Sequence, residues 1–264
     1  ILKEAVSRGH QVLALTRSPQ KITPSASLAV AKIDVNDSEA LAQALAGYDV
    51  VVHAFAPSRS DSVQERIVRQ TQGTRSIINA VKQAGIERLV AVGGAGTTEV
   101  APGVPLMSSY FFPPEYEGVA RSTAVIKDLL QAEKSIDWVF VSPPSILEAG
   151  ARTGKYRTGE DNLIIELASG RSYMSVADYA LAMLDEIENP GHQRQRFTVG
   201  TLARSFVLEI EHANFSNLIC FKMLRKGSVT LQGHIIFVAQ YTGLCSIDIV
   251  HKDDFPTINQ AQNG

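Results

Sequence analysis

Along the first three quarters of the chain, apolar residues recur either every three to four positions or in short unbroken runs, and the two patterns take turns. Ile1, Leu2, Ala5 and Val6 have helical spacing and lead into Arg8-Gly9-His10, where Gly9 supplies the left-handed residue that ends a helix. Gln11 to Leu15 is a short apolar run with turn chemistry at Ser18-Pro19 behind it, which predicts a buried strand. A second strand is predicted at Leu28 to Val35, and Ser38 is read as the cap of a helix reaching Ala46, with Gly47 at its end. Asp49 to Phe55 reads as a strand, Ser62 to Ala84 as a long helix closed by Gly85, and Arg88 to Val92 as a strand. After an irregular stretch rich in Gly and Pro, Gly93 to Pro114, a helix at Glu115 to Lys134 leads into a strand at Trp138 to Ser142.

Strands that alternate with helices of ten or more residues mark parallel βαβ units, so the fold class is α/β. Beyond Pro143 the rhythm loosens into a hairpin at Lys155 to Ile165, a helix at Ser175 to Glu188 and a strand at Arg196 to Gly200. From Leu202 the character changes: both cysteines and five of the ten phenylalanines fall in the last quarter. Val229 to Gln240 is compatible with strands, and Lys252 to Gly264 reads as a polar, disordered end. The chain therefore divides into a domain at 1–201 and an unrelated extension of unknown role at 202–264. It opens on Ile1 inside an amphipathic pattern, so an upstream element is expected to be missing.

A formal net charge of −2 and the lack of a dense Lys/Arg block argue against nucleic acid or an anionic membrane as partner and favour a small molecule. Cys220 and Cys245 are too far apart for a CxxC motif and too few for a disulfide framework, which fits a reducing cytoplasm. No run approaches a membrane-spanning helix, since Glu209, Glu211 and His212 interrupt the stretch from Ser205 to Phe221. Oligomeric state is left open.

In open parallel sheets, ligands bind beyond the carboxyl ends of the strands, so the residues after each strand are the candidates. Arg17 follows the first strand. It is either a solvated strand-end arginine or a guanidinium that pairs with an adenosine 2′-phosphate, which would favour NADP over NAD. Asp34 and Val35 follow the next strand, positioned either to border an adenine ring or to start the turn into the helix. Ala54, Phe55, Ala56 and Pro57 end the third strand with small residues that let a cofactor approach the backbone. His53 inside that run is either a satisfied core residue or a base. Gly93-Gly94-Ala95-Gly96 mimics a dinucleotide fingerprint, but no helix opens directly from it, and it is read as leaving room for a nicotinamide or substrate.

Taken together, Ala14-Leu15-Thr16-Arg17, Asp34-Val35, Val51-Val52-His53-Ala54-Phe55, Arg88 to Gly96, Asp137 to Pro143 and Ser175 to Ala180 resemble the NAD(P)H-binding branch of the atypical short-chain dehydrogenases. The resemblance runs from Ile1 to about Gly200. It implies a Rossmann-type doubly wound parallel sheet with NADP(H) across the strand ends. Arg17 would lie near the adenosine phosphate, Asp34 near adenine and Ala54 to Pro57 along the inner face, with Gly93, Gly94 and Pro143 flanking the nicotinamide.

Such proteins begin with a strand and a glycine-rich loop that holds the pyrophosphate. Neither precedes Ile1. The sheet is therefore expected to lack its first strand, with unpaired backbone exposed beside the gap and weak or absent dinucleotide affinity.

Well-known short-chain dehydrogenases use Tyr-x-x-x-Lys as the proton donor. Tyr116 stands at the start of the corresponding helix, but Ala120 occupies the lysine position, so it is either an altered donor or an ordinary packing tyrosine. Ser108, Ser109 and Tyr110 are polar groups in the segment expected to cover the substrate. No metal-ligand cluster or Ser-His-Asp order stands out. Three functional readings follow: an NAD(P)H-dependent oxidoreductase or epimerase acting on a small molecule, a non-catalytic NADP(H) sensor, and a fragment unable to bind cofactor.

Overall fold

The structure is a computed structural model that describes residues 1–166 and 169–202 together with the backbone of 234–238. The chain begins with helix α1 (Leu2–Ser7), strand β1 (Gln11–Thr16), β2 (Leu28–Lys32), α2 (Ser38–Leu45) and β3 (Val50–His53). α3 (Val63–Gln83), β4 (Arg88–Val92), a small hairpin of β5 (Glu99–Ala101) and β6 (Val104–Pro105), and α4 (Glu117–Ala132) follow. Then come β7 (Asp137–Ser142), β8 (Ile146–Glu148), β9 (Tyr156–Gly159), β10 (Tyr173–Ser175), α5 (Val176–Glu188), β11 (Gln195–Thr201) and β12 (His234–Val238).

The helix boundaries have local causes. After α1, Gly9 adopts φ +88°, a conformation costly for a residue with a Cβ. α2 starts at Ser38, but its cap is the preceding residue: Asp37 Oδ1 accepts from Ala40 N at 3.0 Å, leaving Ser38 inside the first turn. At α3 a reciprocal capping box joins Ser62 and Glu65 and satisfies two backbone N–H groups that the helix cannot bond itself.

Eight strands form one sheet in the order β2-β1-β12-β3-β4-β7-β11-β9, and only the β11–β9 pairing is antiparallel. The segment around β9 does not fold back on itself as the expected hairpin. It runs along β11 instead, with Gly159 opposite Thr198. Helices cover both faces, giving two apolar layers. Leu41, Leu45, Ile77, Leu89, Ile126, Leu130 and Phe140 build one, under α2, α3 and α4. Ala5, Val52, Val90, Val139, Met183 and Phe197 build the other, under α1 and α5.

The sheet position between β1 and β3 is filled. β12 lies there, parallel to both neighbours, with Val12 opposite Ile235 and Ile235 opposite Val50. The expected exposure of unpaired backbone at this gap is corrected by a strand drawn from the extension. Because only interior ladders satisfy the N–H and C=O groups of a covered strand, an empty slot here would leave two buried edges unpaired. The rest of the extension, including both cysteines and the polar end at 252–264, lies outside the described residues.

Although short, α1 is firmly fixed. Arg8 donates to Glu4 at 2.9 Å, Asp185 at 2.8 Å and Glu188 at 2.7 Å, tying α1 to α5. Hydrogen bonds from Arg152 hold the Glu4 carboxyl down at about 2, with Arg8 adding to the effect. At the amino ends of the strands, buried Arg88 bridges Asp137 and Glu186, and its contact with Glu186 is 2.6 Å. Glu186 also accepts from the backbone N–H groups of Gly191 and His192. Replacing one member of such a network leaves the others buried and unpaired. Arg88→Met is expected to lower unfolding free energy by about 3–5 kcal/mol, measured by urea denaturation.

Candidate functional site

All the parallel strands point their carboxyl ends to one edge, where β1 ends at Thr16, β3 at His53, β4 at Val92 and β7 at Ser142. Successive strands step outward from β12 in opposite directions, toward β2 on one side and toward β11 on the other. This reversal of strand order creates a crevice between the loops, the usual place for a ligand in an open α/β sheet.

On one side of the crevice, Arg17 is exposed directly after β1, and Ser18 N donates to Thr16 Oγ1 at 3.1 Å, fixing the turn that carries it. Asp34 is exposed, and its Oδ1 accepts from Asn36 N at 2.9 Å and Asn36 Nδ2 at 3.0 Å. It thus forms the turn into the α2 cap. Val35 is 1% exposed and belongs to the core beside Leu41 and Leu45, so it supports the turn from beneath.

On the other side, four of the expected residues come together. Ala54, Phe55, Ala56 and Gly93 line a cleft of about 100 Å³ with Val92, Arg66 and Gln70 of α3, and Val119, Ser122, Thr123 and Ile126 of α4. The cleft walls are small and largely neutral, with Arg66 the one cation among the lining residues.

The shape of this edge is set by a buried polar chain. The Phe55 N–H donates to His53 Nδ1 at 3.3 Å, which leaves Nε2 protonated to donate to Thr74 Oγ1 at 3.0 Å. Gln70 Nε2 donates to Thr74 Oγ1 at 3.1 Å and to the Phe55 carbonyl at 3.3 Å. Full burial pushes the His53 pKa down to about 4, so the ring is neutral at physiological pH. His53 is therefore a hydrogen-bonded core residue that pins the strand end to α3. Gly73 completes the contact: a Cβ there would stand 2.2 Å from the Phe55 ring.

The glycine run after β4 is explained by close packing within the protein. A Cβ on Gly93 would meet the Val141 carbonyl at 2.6 Å, one on Gly94 the Thr123 side chain at 2.9 Å, and one on Gly96 the Ala120 Cβ at 2.7 Å. These glycines bring the β4 loop down onto β7 and α4, and only Gly93 also lines the cleft. Tyr179 reinforces the place, its hydroxyl donating to the Val141 carbonyl at 2.7 Å, and burial pushes its pKa up. Pro143 is buried immediately after β7. Tyr116 is half-buried one turn before Ala120, at the entry to α4 and outside the cleft lining. Ser109 Oγ donates to the Leu106 carbonyl at 2.7 Å, while Tyr110 is 97% exposed.

Sequence reading missed Arg66 and Gln70. Their signal was available in the four-residue spacing from the Ser62 cap, which puts positions 66, 70 and 74 on one helix face. A larger cavity of about 760 Å³ lies at the opposite edge, among Lys134, Trp138, Asp161, His192 and Arg196 near the amino ends of β7 and β11. Its buried arginine is already paired, Arg196 with Asp161, and none of the parallel strands presents its carboxyl end there, so the smaller cleft is the candidate site. Among the described residues no group of His, Cys, Asp and Glu could hold a metal ion, and no helix is long and apolar enough to cross a membrane.

The neutral His53 gives the fold a defined acid sensitivity. Its folded-state pKa lies below its unfolded value near 6.5, so the penalty is absent above pH 6.5 and grows as pH falls toward 4, where it levels off. Between those limits His53 is expected to cost about 1.4 kcal/mol per pH unit. Melting temperatures recorded from pH 7 to pH 4 for the parent and His53→Asn check this, the variant showing the shallower decline.

Comparison with known proteins agrees with this geometry. Residues 1–190 match a family described as NAD(P)H-binding. The uncharacterized protein YwnB of Bacillus subtilis (strain 168) is 41% identical over 203 residues, covering 75% of this chain and 91% of that protein. A structure from Bacteroides thetaiotaomicron, provisionally named an epimerase, is 39% identical, covers 76% of this chain and 90% of its own, and superimposes with a TM-score of 0.68. Another, from Streptococcus pneumoniae TIGR4 and provisionally named an NADH-flavin reductase, is 28% identical, covers 76% and 92%, and gives a TM-score of 0.66. With a doubly wound parallel sheet, a crevice at its strand-order reversal and these likenesses, the chain belongs to the NAD(P)H-binding family of atypical short-chain dehydrogenase type.

Proposed function

We propose that the protein is an NADP(H)-preferring oxidoreductase acting on a small molecule, with the dinucleotide lying along the carboxyl edge of the sheet. The observation that carries this reading is the convergence of Ala54, Phe55, Ala56 and Gly93 in one cleft beside the strand-order reversal. Ala54, Ala56 and Gly93 are small enough to admit a cofactor backbone, and the His53–Thr74–Gln70 chain holds the strand end in place before any ligand arrives. When bound, the nicotinamide supplies hydride transfer.

In this reading Arg17 pairs with the adenosine 2′-phosphate, and Asp34 accepts a hydrogen bond from the adenine side. Gly93, Gly94 and Pro143 border the nicotinamide. Arg66, which donates to the Ser58 carbonyl at 3.1 Å, keeps the loop after β3 closed over α3 and puts positive charge beside the cleft. Tyr116 is the proton donor at the α4 entry, working without the lysine that lowers the hydroxyl pKa in related dehydrogenases, because Ala120 stands in that place. The partner is a small molecule in a cytoplasmic setting, in keeping with the near-neutral net charge.

Two measurements test the proposal. Titration calorimetry is expected to show NADPH binding more tightly than NADH, and Arg17→Ala is expected to weaken NADPH binding about tenfold or more while leaving NADH nearly unchanged. NADPH oxidation with a panel of flavins, quinones and ketones separates an enzyme from a sensor. Binding without turnover on any of them would overturn the oxidoreductase reading in favour of a dinucleotide-sensing protein.

A further inference from the structure

Each buried or half-buried arginine among the described residues has a partner for its guanidinium except one. Arg8, Arg88 and Arg196 bond carboxylates, and Arg66 and Arg157 donate to the carbonyls of Ser58 and Ile165. Arg171 is half-buried, yet its side chain makes no hydrogen bond or ion pair with the described residues. It lies instead over the Tyr173 ring, with the guanidinium carbon 5.4 Å from the ring centroid. Stacking uses the flat face of the group and leaves its N–H edge for an acceptor.

Backbone bonds fix where this group stands. Arg171 N donates to Ser169 Oγ at 3.3 Å, and the Arg171 carbonyl accepts from Glu166 N at 2.8 Å. The next residue, Ser172, accepts through its hydroxyl from Ser145 N at 3.1 Å. Its carbonyl accepts from Ser145 Oγ at 3.1 Å and from Ile146 N at 2.9 Å, which ties the segment to the chain just after Pro143. On the other side, Thr201 Oγ1 at the carboxyl end of β11 donates to the Tyr173 carbonyl at 2.6 Å. In the sheet order the proposed dinucleotide runs from Arg17 and Asp34, after β1 and β2, to Gly93 and Pro143, after β4 and β7. β11 comes next in that direction, so Arg171 stands past the nicotinamide end, on the side left for a substrate.

We propose that the small molecule this protein acts on carries a carboxylate, and that Arg171 is the residue that binds it. The inference rests on the proposed dinucleotide reading for its direction along the sheet. A guanidinium edge offers two parallel N–H groups that match the two oxygens of a carboxylate, and a half-buried pair is screened less than one on an open surface. Neighbouring acids disfavour a phosphate. Burial raises the pKa of the Tyr173 hydroxyl, with Glu148 adding to the effect, so Glu148 is within electrostatic reach, and Glu166 is bonded to the Arg171 backbone. A dianion meets about twice the repulsion from these carboxylates that a singly charged carboxylate does.

The test titrates 4-oxopentanoate, phenylglyoxylate, their methyl esters and dihydroxyacetone phosphate into the full chain by calorimetry, with and without NADP. The parent is compared with Arg171→Gln and Arg171→Lys, and the same compounds are assayed for NADPH oxidation. The parent is expected to bind at least one of the two acids and neither ester. Arg171→Gln is expected to weaken acid binding at least about tenfold, Arg171→Lys to restore part of it, and both to leave NADP affinity within about twofold. For an acid that oxidises NADPH, the glutamine variant is expected to raise KM at least about tenfold with kcat nearly unchanged. Equal binding of acids and esters, acid affinity unchanged in Arg171→Gln, or no acid bound by the parent would each overturn the proposal. Tighter binding of dihydroxyacetone phosphate than of either acid, or NADPH oxidation with the esters but not the acids, would do the same. Acid binding that depends on Arg171 in a protein that binds no NADP would overturn the dinucleotide reading and leave the carboxylate site standing. The same binding in a protein that oxidises NADPH with none of these compounds, nor with flavins, quinones and ketones, would overturn the oxidoreductase reading alone.

Discussion

The pairing of β1 with β12 and of β12 with β3 joins the two halves of the sheet, and the placement of everything at the carboxyl edge depends on it. A parallel strand covered on both faces has no water for its N–H and C=O groups, so each must find a neighbour on either side. β1 has β2 on one edge and β3 has β4, and each requires one more partner. A single strand answers both needs, and in doing so it sets the distance between the Arg17 turn and the Ala54 to Ala56 strand end. That the strand is contributed by 234–238, from the far end of the chain, is a solution the backbone ladder permits because pairing is indifferent to where in the sequence a strand originates.

Around that frame the cleft is shaped by polar groups that themselves do no chemistry. His53, neutral through burial, links a backbone N–H of its own loop to Thr74, and Gln70 returns to the Phe55 carbonyl. Phe55 can lie flat on α3 only because position 73 carries no side chain. On the opposite wall, Gly93, Gly94 and Gly96 let the β4 loop settle against Val141, Thr123 and Ala120. Buried hydrogen bonds of this kind cost little when complete and much when broken, so they hold a fixed opening at the strand end.

The two ends of the parallel strands have opposite characters for the same reason. At the amino ends, charged groups pair with one another: Arg88 lies between Asp137 and Glu186, and Arg196 is paired with Asp161. That edge contains the larger cavity, whose buried Arg196 is paired with Asp161. At the carboxyl ends Ala54, Ala56 and Gly93 line the cleft, and Arg17 and Asp34 are exposed. Ion pairing is concentrated at one edge and the candidate cleft lies at the other.

By itself the sequence determined the alternation of helices and strands, the parallel α/β class and the identity of most strand-end residues, because these follow from local periodicity and from capping residues such as Gly9 and Ser62. It also carried the family resemblance through Arg17, Asp34, the Ala54 to Ala56 strand end and Gly93. Only the tertiary structure decided that Val35 is core, that His53 is a structural link, that the glycine run packs against α4, and that the shared α3 face of Arg66 and Gln70 is the one that meets the cleft. These depend on which faces meet across distant segments, and spacing along one helix or strand does not encode that. The sharpest difference concerns the slot between β1 and β3: periodicity along the chain could not tell that residues 234–238 would take it, because a backbone ladder selects its partner by geometry in space and leaves no mark of that choice in the order of residues.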